Sequence, residues 1–386
     1  MCADTCPNEQ YIMEALRLGT PEEIPSFCQS IMGDVQRDFF EMNDGDVPDE
    51  DILLTQVGDL TVYKAFGYSS RWNGSPGTTL VIDDAIRDRV DEMNKEVEKK
   101  HGKRYHVNNM GSIRASNEVA SWFVEAGIST VEDLKLFLDG WDFKAPKVNT
   151  IEQYRIGRRQ CMDANFVPFA SANLVMEPAN QSISFALTAK LMRKEPGLIV
   201  QFYDLLTRMT EARFKAAISA GYKCFCTADD MAYKTGPMIH PDKYRKFVTP
   251  MAKRVCDLVH DSGGVIFMHT DGFIDPVMDC FIDAGYNAIQ PLEPTSGMTI
   301  KRVKENWGDK IACIGNVDTT NTLSFGTPED ARKYVHRCFK EATDASGNIS
   351  GYMFAASGTL HNEVKVENAL AMMNEYTKIR HGIIQV

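Results

Sequence analysis

No run of apolar residues in this 386-residue chain approaches the ~20 that a membrane-crossing helix needs, so no such span is expected. A signal-peptide pattern is also missing: Asp4, Pro7 and Glu9 interrupt the N-terminal residues and no apolar core follows. The cytoplasm is the expected location. Positive charge is short, with 42 Lys and Arg against 53 Asp and Glu. The resulting formal charge of −11 argues against nucleic-acid binding. There is no CxxC, and the Cys2–Cys6 pair has no second pair at finger-like spacing. Neither a disulfide framework nor a zinc finger is expected. A Gly-rich phosphate turn after an early strand is lacking too, which leaves a doubly wound dinucleotide-binding sheet without its signature. No internal repeat or low-complexity tract is evident.

What is present is a recurring motif of strand ends. Val265 to Gly272 reads V-I-F-M-H-T-D-G, an apolar run stopping abruptly at His269 and Asp271. Cys224-Phe225-Cys226 runs into Asp229 and Asp230, and Ala288-Ile289 runs through Gln290 to Glu293. Ile311 to Ile314 ends in Gly315, Asn316 and Asp318, and Tyr352 to Ala356 in Ser357 and His361. Nearly continuous apolar strands favour a parallel sheet covered on both faces. Polar groups gathered where strands end are the pattern of a (β/α)8 TIM barrel, whose chemistry sits at the C-terminal face. An open doubly wound sheet gives similar local patterns and is the structural alternative. The ten cysteines fall largely in apolar or helical contexts (Cys224, Cys226, Cys256, Cys280, Cys313, Cys338) and read as small buried thiols in a reducing, anaerobic cytosol.

Between the strands, Tyr244, Phe247, Val248, Met251, Val255, Leu258 and Val259 keep a helical stripe that Gly263-Gly264 breaks. A second stripe, Val277, Met278, Phe281 and Ile282, stops at Gly285. Thr327-Pro328 predicts an N-cap with proline at the first helical position, and His240 before Pro241 another helix entry. Strand ends recur every ~25–40 residues, the scale of a βαβ unit. The first half is less regular. Asn8 to Leu18 predicts a short amphipathic helix and Ile24 to Cys28 a first strand. Asp44 to Asp51 reads as an acidic, solvated loop, Leu60 to Trp72 as strand-rich, and Asp84 to Tyr105 as a charged excursion outside the core. The whole chain reads as a single barrel domain, with roughly 40–155 as an N-terminal elaboration capping its mouth. Phe166 to Ala170 restarts the strand pattern.

Several stretches resemble the uroporphyrinogen decarboxylase superfamily: Asn8 to Pro25, Ala228 to Pro250 (A-D-D-M-A-Y-K-T-G-P onward), F-M-H-T-D-G, I-G-N-V-D, F-G-T-P-E-D and V-E-N-A-L-A-M. They agree in order and spacing over nearly all of 220–386, and poorly in the middle of the first half. The resemblance implies a (β/α)8 barrel. Decarboxylases of this superfamily carry an arginine pair after the first strand, where this chain reads Cys28-Gln29-Ser30-Ile31-Met32-Gly33. Without fixed cations, a polyanionic tetrapyrrole is a poor substrate. The A-D-D-M…K-T-G-P stretch looks most like the corrinoid-dependent methyltransferase branch, which implies methyl transfer from a small donor to Co(I) of a corrinoid (cobalamin) on a separate protein. Forms that O-demethylate methoxylated aromatics are the nearest in pattern. A decarboxylase-type lyase and a non-catalytic tetrapyrrole-binding barrel are the alternatives.

The resemblance also departs in one place. Thiol-activating members hold zinc with H-x-C and a later cysteine; here Asp271 follows His269, and Ser357 to His361 has no cysteine. That argues against a thiol acceptor, while His269, Glu293 and His361, with Asp271, are left as N and O ligands for zinc. Breaking a methyl ether requires an acid or Lewis acid at the leaving oxygen. His269 is the first choice for that role, with Asp271 to orient or charge-balance it and Asp229 and Asp230 at the neighbouring strand end. Tyr63, Phe66, Trp72, Asn316 and Gln29 are the candidates for substrate contact. Loop or core roles are the competing readings for Asp229, Asp230, Asn316 and these aromatics. The expected partners are a corrinoid protein and a small methyl donor, with a homo-oligomer left open.

Overall fold

The computed structural model describes residues 6–42, 60–117 and 121–384; the acidic stretch Asp44 to Asp51 and Cys2 lie outside them. Eight parallel strands form a closed ring: β1 Ser26–Cys28, β2 Ser70–Gly74, β3 Val167–Asn173, β4 Cys224–Ala228, β5 Val265–His269, β6 Ala288–Gln290, β7 Ala312–Val317 and β8 Tyr352–Ala356. β1 pairs with both β2 and β8, which leaves no edge and excludes the open sheet. The fold is a (β/α)8 TIM barrel. Strands β4 to β8 are buried along their whole length, with one face in the barrel and the other under helices. That double burial is why each reads as an unbroken apolar run.

Inside the ring, Phe27, Phe169 and Phe267 from β1, β3 and β5 meet edge to face, with centroids 5.4, 5.2 and 5.2 Å apart. The helix Pro7–Leu16 seals the barrel's N-terminal end, adding Ile12 and Leu16 to the same cluster. Two of its hydrogen bonds reach residues just before strand starts. Asn8 Nδ2 donates to Asn165 O at 2.6 Å, and Arg17 Nη2 to Gly263 O at 2.9 Å. Arg380, at the end of the last helix, donates to Asn8 Oδ1 at 2.9 Å and to Glu23 at 2.7 Å, tying the two ends of the chain together. With one end plugged, the C-terminal ends of the strands form the mouth.

The outer helices follow local signals. Thr327 caps Pro328–Ala342 with a capping box to Asp330, and His240 Nδ1 accepts from Asp242 N at 3.2 Å. The stripe from Tyr244 is two helices, Pro241–Phe247 and Thr249–Asp261, because Pro250 cannot continue the hydrogen-bond ladder. Gly285 ends Met278–Ala284 at φ +95°, a left-handed turn that glycine tolerates best. All nine described cysteines are free and buried. Among the described residues, no helix is long and apolar enough to cross a membrane.

Two expectations for the first half are corrected. Leu60 to Trp72 is not strand-rich throughout: Thr61–Ala65 is helical and the strand begins at Ser70. Asp84 to Tyr105 is chiefly a helix, Asp84–His101, whose Ile86, Val90, Met93 and Val97 are buried at helical spacing. It belongs to an excursion between β2 and β3, running over 75–147. There Thr79–Ile82 pairs with Trp141–Lys144, and three antiparallel strands span 105–126. The excursion bridges to the end of the helix Met176–Ser182 through Ile128 N to Ser182 O at 3.1 Å. Replacing Phe267 by alanine should lower stability by about 3–5 kcal/mol, since the closed ring cannot collapse into the cavity. Urea unfolding followed by circular dichroism measures it.

Candidate active site

β5 delivers His269 to the mouth because Val265 and Phe267, four and two residues earlier on the same side of the strand, point into the barrel. The imidazole is 6% exposed. Its Nδ1 lies 2.5 Å from Gln290 Oε1 at the end of β6, the residue paired with it in register. An amide oxygen can only accept, so Nδ1 is the donor in this contact. Trp72 of β2 packs edge to face on the ring, 4.9 Å between centroids.

Asp271 lies two residues further along, and its backbone N donates to Asp230 Oδ1 at 3.2 Å. Asp230, His269 and Asp271 each offer a ligand atom, all within 4.8 Å of one another. Burial pushes the Asp271 carboxyl up to about 6; Asp230 and Glu293 add to this and His269 opposes it. Glu177 belongs to the same neighbourhood. Burial raises its carboxyl, Asp230 raises it further, and His269 pulls it down. Lys234 Nζ lies 3.9 Å from Glu293 Oε1, beside the three-ligand cluster and not part of it. Carboxylates crowded beside an imidazole favour a divalent ion, and one nitrogen with two oxygens suits zinc or a similar metal.

The two adjacent aspartates have different tasks. Asp229 is wholly buried and faces away from the cluster. Its carboxylate accepts from Val175 N at 3.0 Å, Met176 N at 2.8 Å and Glu177 N at 2.5 Å, anchoring the N-terminus of Met176–Ser182. Burial pushes its carboxyl up to about 7 against these three donors. The carboxylate thus holds the helix that carries Glu177. Asn173 Nδ2 and Gln181 Nε2 donate to the Glu177 carboxylate at 2.9 and 3.1 Å.

The remaining candidates divide. Glu293 organises the loop after β6, accepting from Gly272 N at 2.9 Å and Ser296 Oγ at 2.6 Å. Burial opposes ionisation there, but these donors and the Thr295 hydroxyl hold its carboxyl below the usual range. Gly272 adopts φ +90°, and a Cβ would meet Ala232 O at 2.5 Å, so this turn needs glycine. Neither Glu293 nor His361 is in the three-ligand cluster. His361 Nδ1 instead accepts from Glu363 N at 3.4 Å. Asn316 is buried and ties β7 to the neighbouring loop, donating to Leu292 O and Met298 O at 3.0 and 3.2 Å. Tyr63 and Phe66 lie in the core between barrel and helices, Tyr63 under Arg71 and Phe66 against Phe39. Of the expected aromatic wall, only Trp72 packs against the barrel interior and His269. Gln29 follows β1, its Oε1 buried with no hydrogen-bond partner among the described residues.

Glu177 and Gln290 were not among the residues expected from sequence. Gln290 closes an apolar strand as His269 does, a signal that was present. Glu177 follows β3 by four residues and reaches the site only through the helix that Asp229 anchors. Asp229→Ala should therefore lower stability by about 1–3 kcal/mol by freeing three backbone donors. Asp230→Ala, which relieves carboxylate crowding, should leave stability unchanged or raised. Thermal unfolding of the two variants side by side tests the division.

The comparisons with known proteins agree with this architecture. The Uroporphyrinogen decarboxylase (URO-D) family model matches residues 166–379, the part of the chain from β3 to the last helix. Among solved structures, a methyltransferase from Methanosarcina mazei superposes with a TM-score of 0.59 at 15% identity, covering 96% of this chain and 98% of that one. A B12-independent methionine synthase from Shewanella sp. W3-18-1 gives a TM-score of 0.42 at 10% identity, covering 63% and 68%. At 15% identity the first of these likenesses concerns the barrel fold alone. No curated sequence matches the chain significantly. The match over more than half the chain, on a closed barrel with its polar cluster at the strand ends, makes this protein a member of the uroporphyrinogen decarboxylase family.

Proposed function

We propose that this protein is a methyltransferase, moving a methyl group from the oxygen of a small donor, a methoxylated aromatic, to the Co(I) of a corrinoid carried by a separate protein. The observation that carries the reading is the Asp230, His269 and Asp271 cluster at the mouth of a URO-D-family barrel. The donor set fits a divalent ion such as zinc, with Asp230 taking the place expected for Glu293 and His361. Such an ion supplies Lewis acidity at an oxygen that is losing its methyl group.

The chain's own groups have definite tasks in this reading. His269 Nδ1 donates to Gln290 Oε1, which leaves Nε2 as the ring nitrogen available to a metal. Burial and Asp230 raise the Glu177 carboxyl, the direction that a general acid for the leaving oxygen requires. Trp72 supplies an apolar edge beside the imidazole. As the donor's C–O bond breaks, the methyl carbon takes the electron pair of the reduced corrinoid and the oxygen takes the proton. The carboxylate rim repels a polycarboxylate substrate, which weighs against decarboxylation, whereas the amide-bearing edge of a corrinoid can donate hydrogen bonds to it.

Anaerobic spectroscopy of Co(I) corrinoid mixed with the protein and a panel of methoxylated aromatics, methylamines and methanol tests the reading. Methylated corrinoid should form with an oxygen-linked donor, and His269→Ala should slow it by at least ~100-fold. Conversion with no donor would overturn the assignment. Metal analysis should find one divalent ion per chain, lost in Asp271→Ala and retained in His361→Ala.

A further inference from the structure

We infer that Gln290 selects the substrate: its side-chain NH2 donates to the oxygen that carries the methyl group, so the site takes uncharged methyl ethers in preference to carboxylates or methylammonium ions. The inference rests on the methyl-transfer reading of the same site.

The geometry is specific. Gln290 is 0% exposed and closes β6 two residues after Ala288, which lies in the interior cluster, so its side chain points into the barrel at the mouth. One end of the amide is committed, since Oε1 accepts from His269. The other end, Nε2, is buried and has no hydrogen-bond partner among the described residues. A buried amide N–H left unpaired is costly, and interiors satisfy nearly all such groups. This donor therefore calls for an acceptor on a ligand, placed beside the imidazole.

The surroundings decide which acceptor. Asp230 and Asp271 each place a carboxylate oxygen within 4.8 Å of the imidazole and of one another, so a ligand carboxylate would meet like charge there. A methylammonium ion suits the carboxylates but has no lone pair for Nε2, so the amide stays unpaired. A neutral ether oxygen meets both conditions. It accepts from Nε2 and brings no charge, and the apolar remainder of the donor can lie against Trp72.

The test is titration calorimetry on the full-length, metal-loaded protein without corrinoid. The probes are 2-methoxyphenol, 2-ethylphenol (a methylene in place of the ether oxygen), 4-methoxybenzoate and tetramethylammonium. The expected result is binding of 2-methoxyphenol at least ~10-fold tighter than of each of the others. Gln290→Glu keeps an acceptor for His269 while removing the donor, and should erase the preference over 2-ethylphenol. If that variant does not fold, the comparison on the unaltered protein decides alone. Equal binding of the methoxy and ethyl compounds, tighter binding of the carboxylate or the ammonium ion, or binding of none overturns the inference. The two readings fail separately. Ether-selective binding without methylation of Co(I) overturns methyl transfer and leaves Gln290's role standing. Methylation from a charged donor without ether preference does the reverse.

Discussion

A ring of eight parallel strands closes only when its interior is filled, and Phe27, Phe169 and Phe267 fill it from alternate strands. That packing holds each strand in one register. A slip of one residue would turn every inward side chain outward. With Phe267 inside, His269 must also be inside, and the pairing of β5 with β6 sets it opposite Gln290. The site's central contact thus follows from the packing of a core ~7 Å below it, two residues back along the strand.

The mouth is built against electrostatic preference. Asp230, Asp271 and Glu177 gather round one imidazole, and burial pushes Asp271 and Glu177 toward their neutral forms. Such crowding weakens the free protein and is relieved by a cation or by protons, the two things a leaving oxygen needs. Asp229 contributes from behind. By taking three backbone donors at the start of Met176–Ser182, it fixes the helix that carries Glu177. Two neighbouring aspartates on one strand end therefore serve opposite faces, one pinning the scaffold and the other lining the site.

The excursion between β2 and β3 was harder to read than the barrel. Its long helix buries Ile86, Val90, Met93 and Val97, but charged residues fill most positions between them, so the stripe is diluted. Around Tyr63 the aromatics suggested a strand or a substrate wall; a short helix packs them into the outer core instead. Asn316 sits at a strand end like His269, yet its amide is spent on Leu292 and Met298 carbonyls. Polar residues at strand ends look alike in a sequence, and only their partners separate ligand contact from loop support.

By itself the sequence determined the barrel, its family, the side of the molecule that carries polar groups, and the pairing of His269 with Asp271 on one face. These depend on local patterns: continuous apolar runs, caps and a two-residue alternation. The tertiary structure alone decided which strand ends converge. It put Asp230 with His269 and Asp271 in one cluster, added Gln290 beside the imidazole, and assigned Glu293 and His361 to their own loops. The reason is that convergence is set by ring closure and by helices anchored from distant strands. Those contacts join residues some 20 to 50 positions apart and leave no periodic trace in the chain.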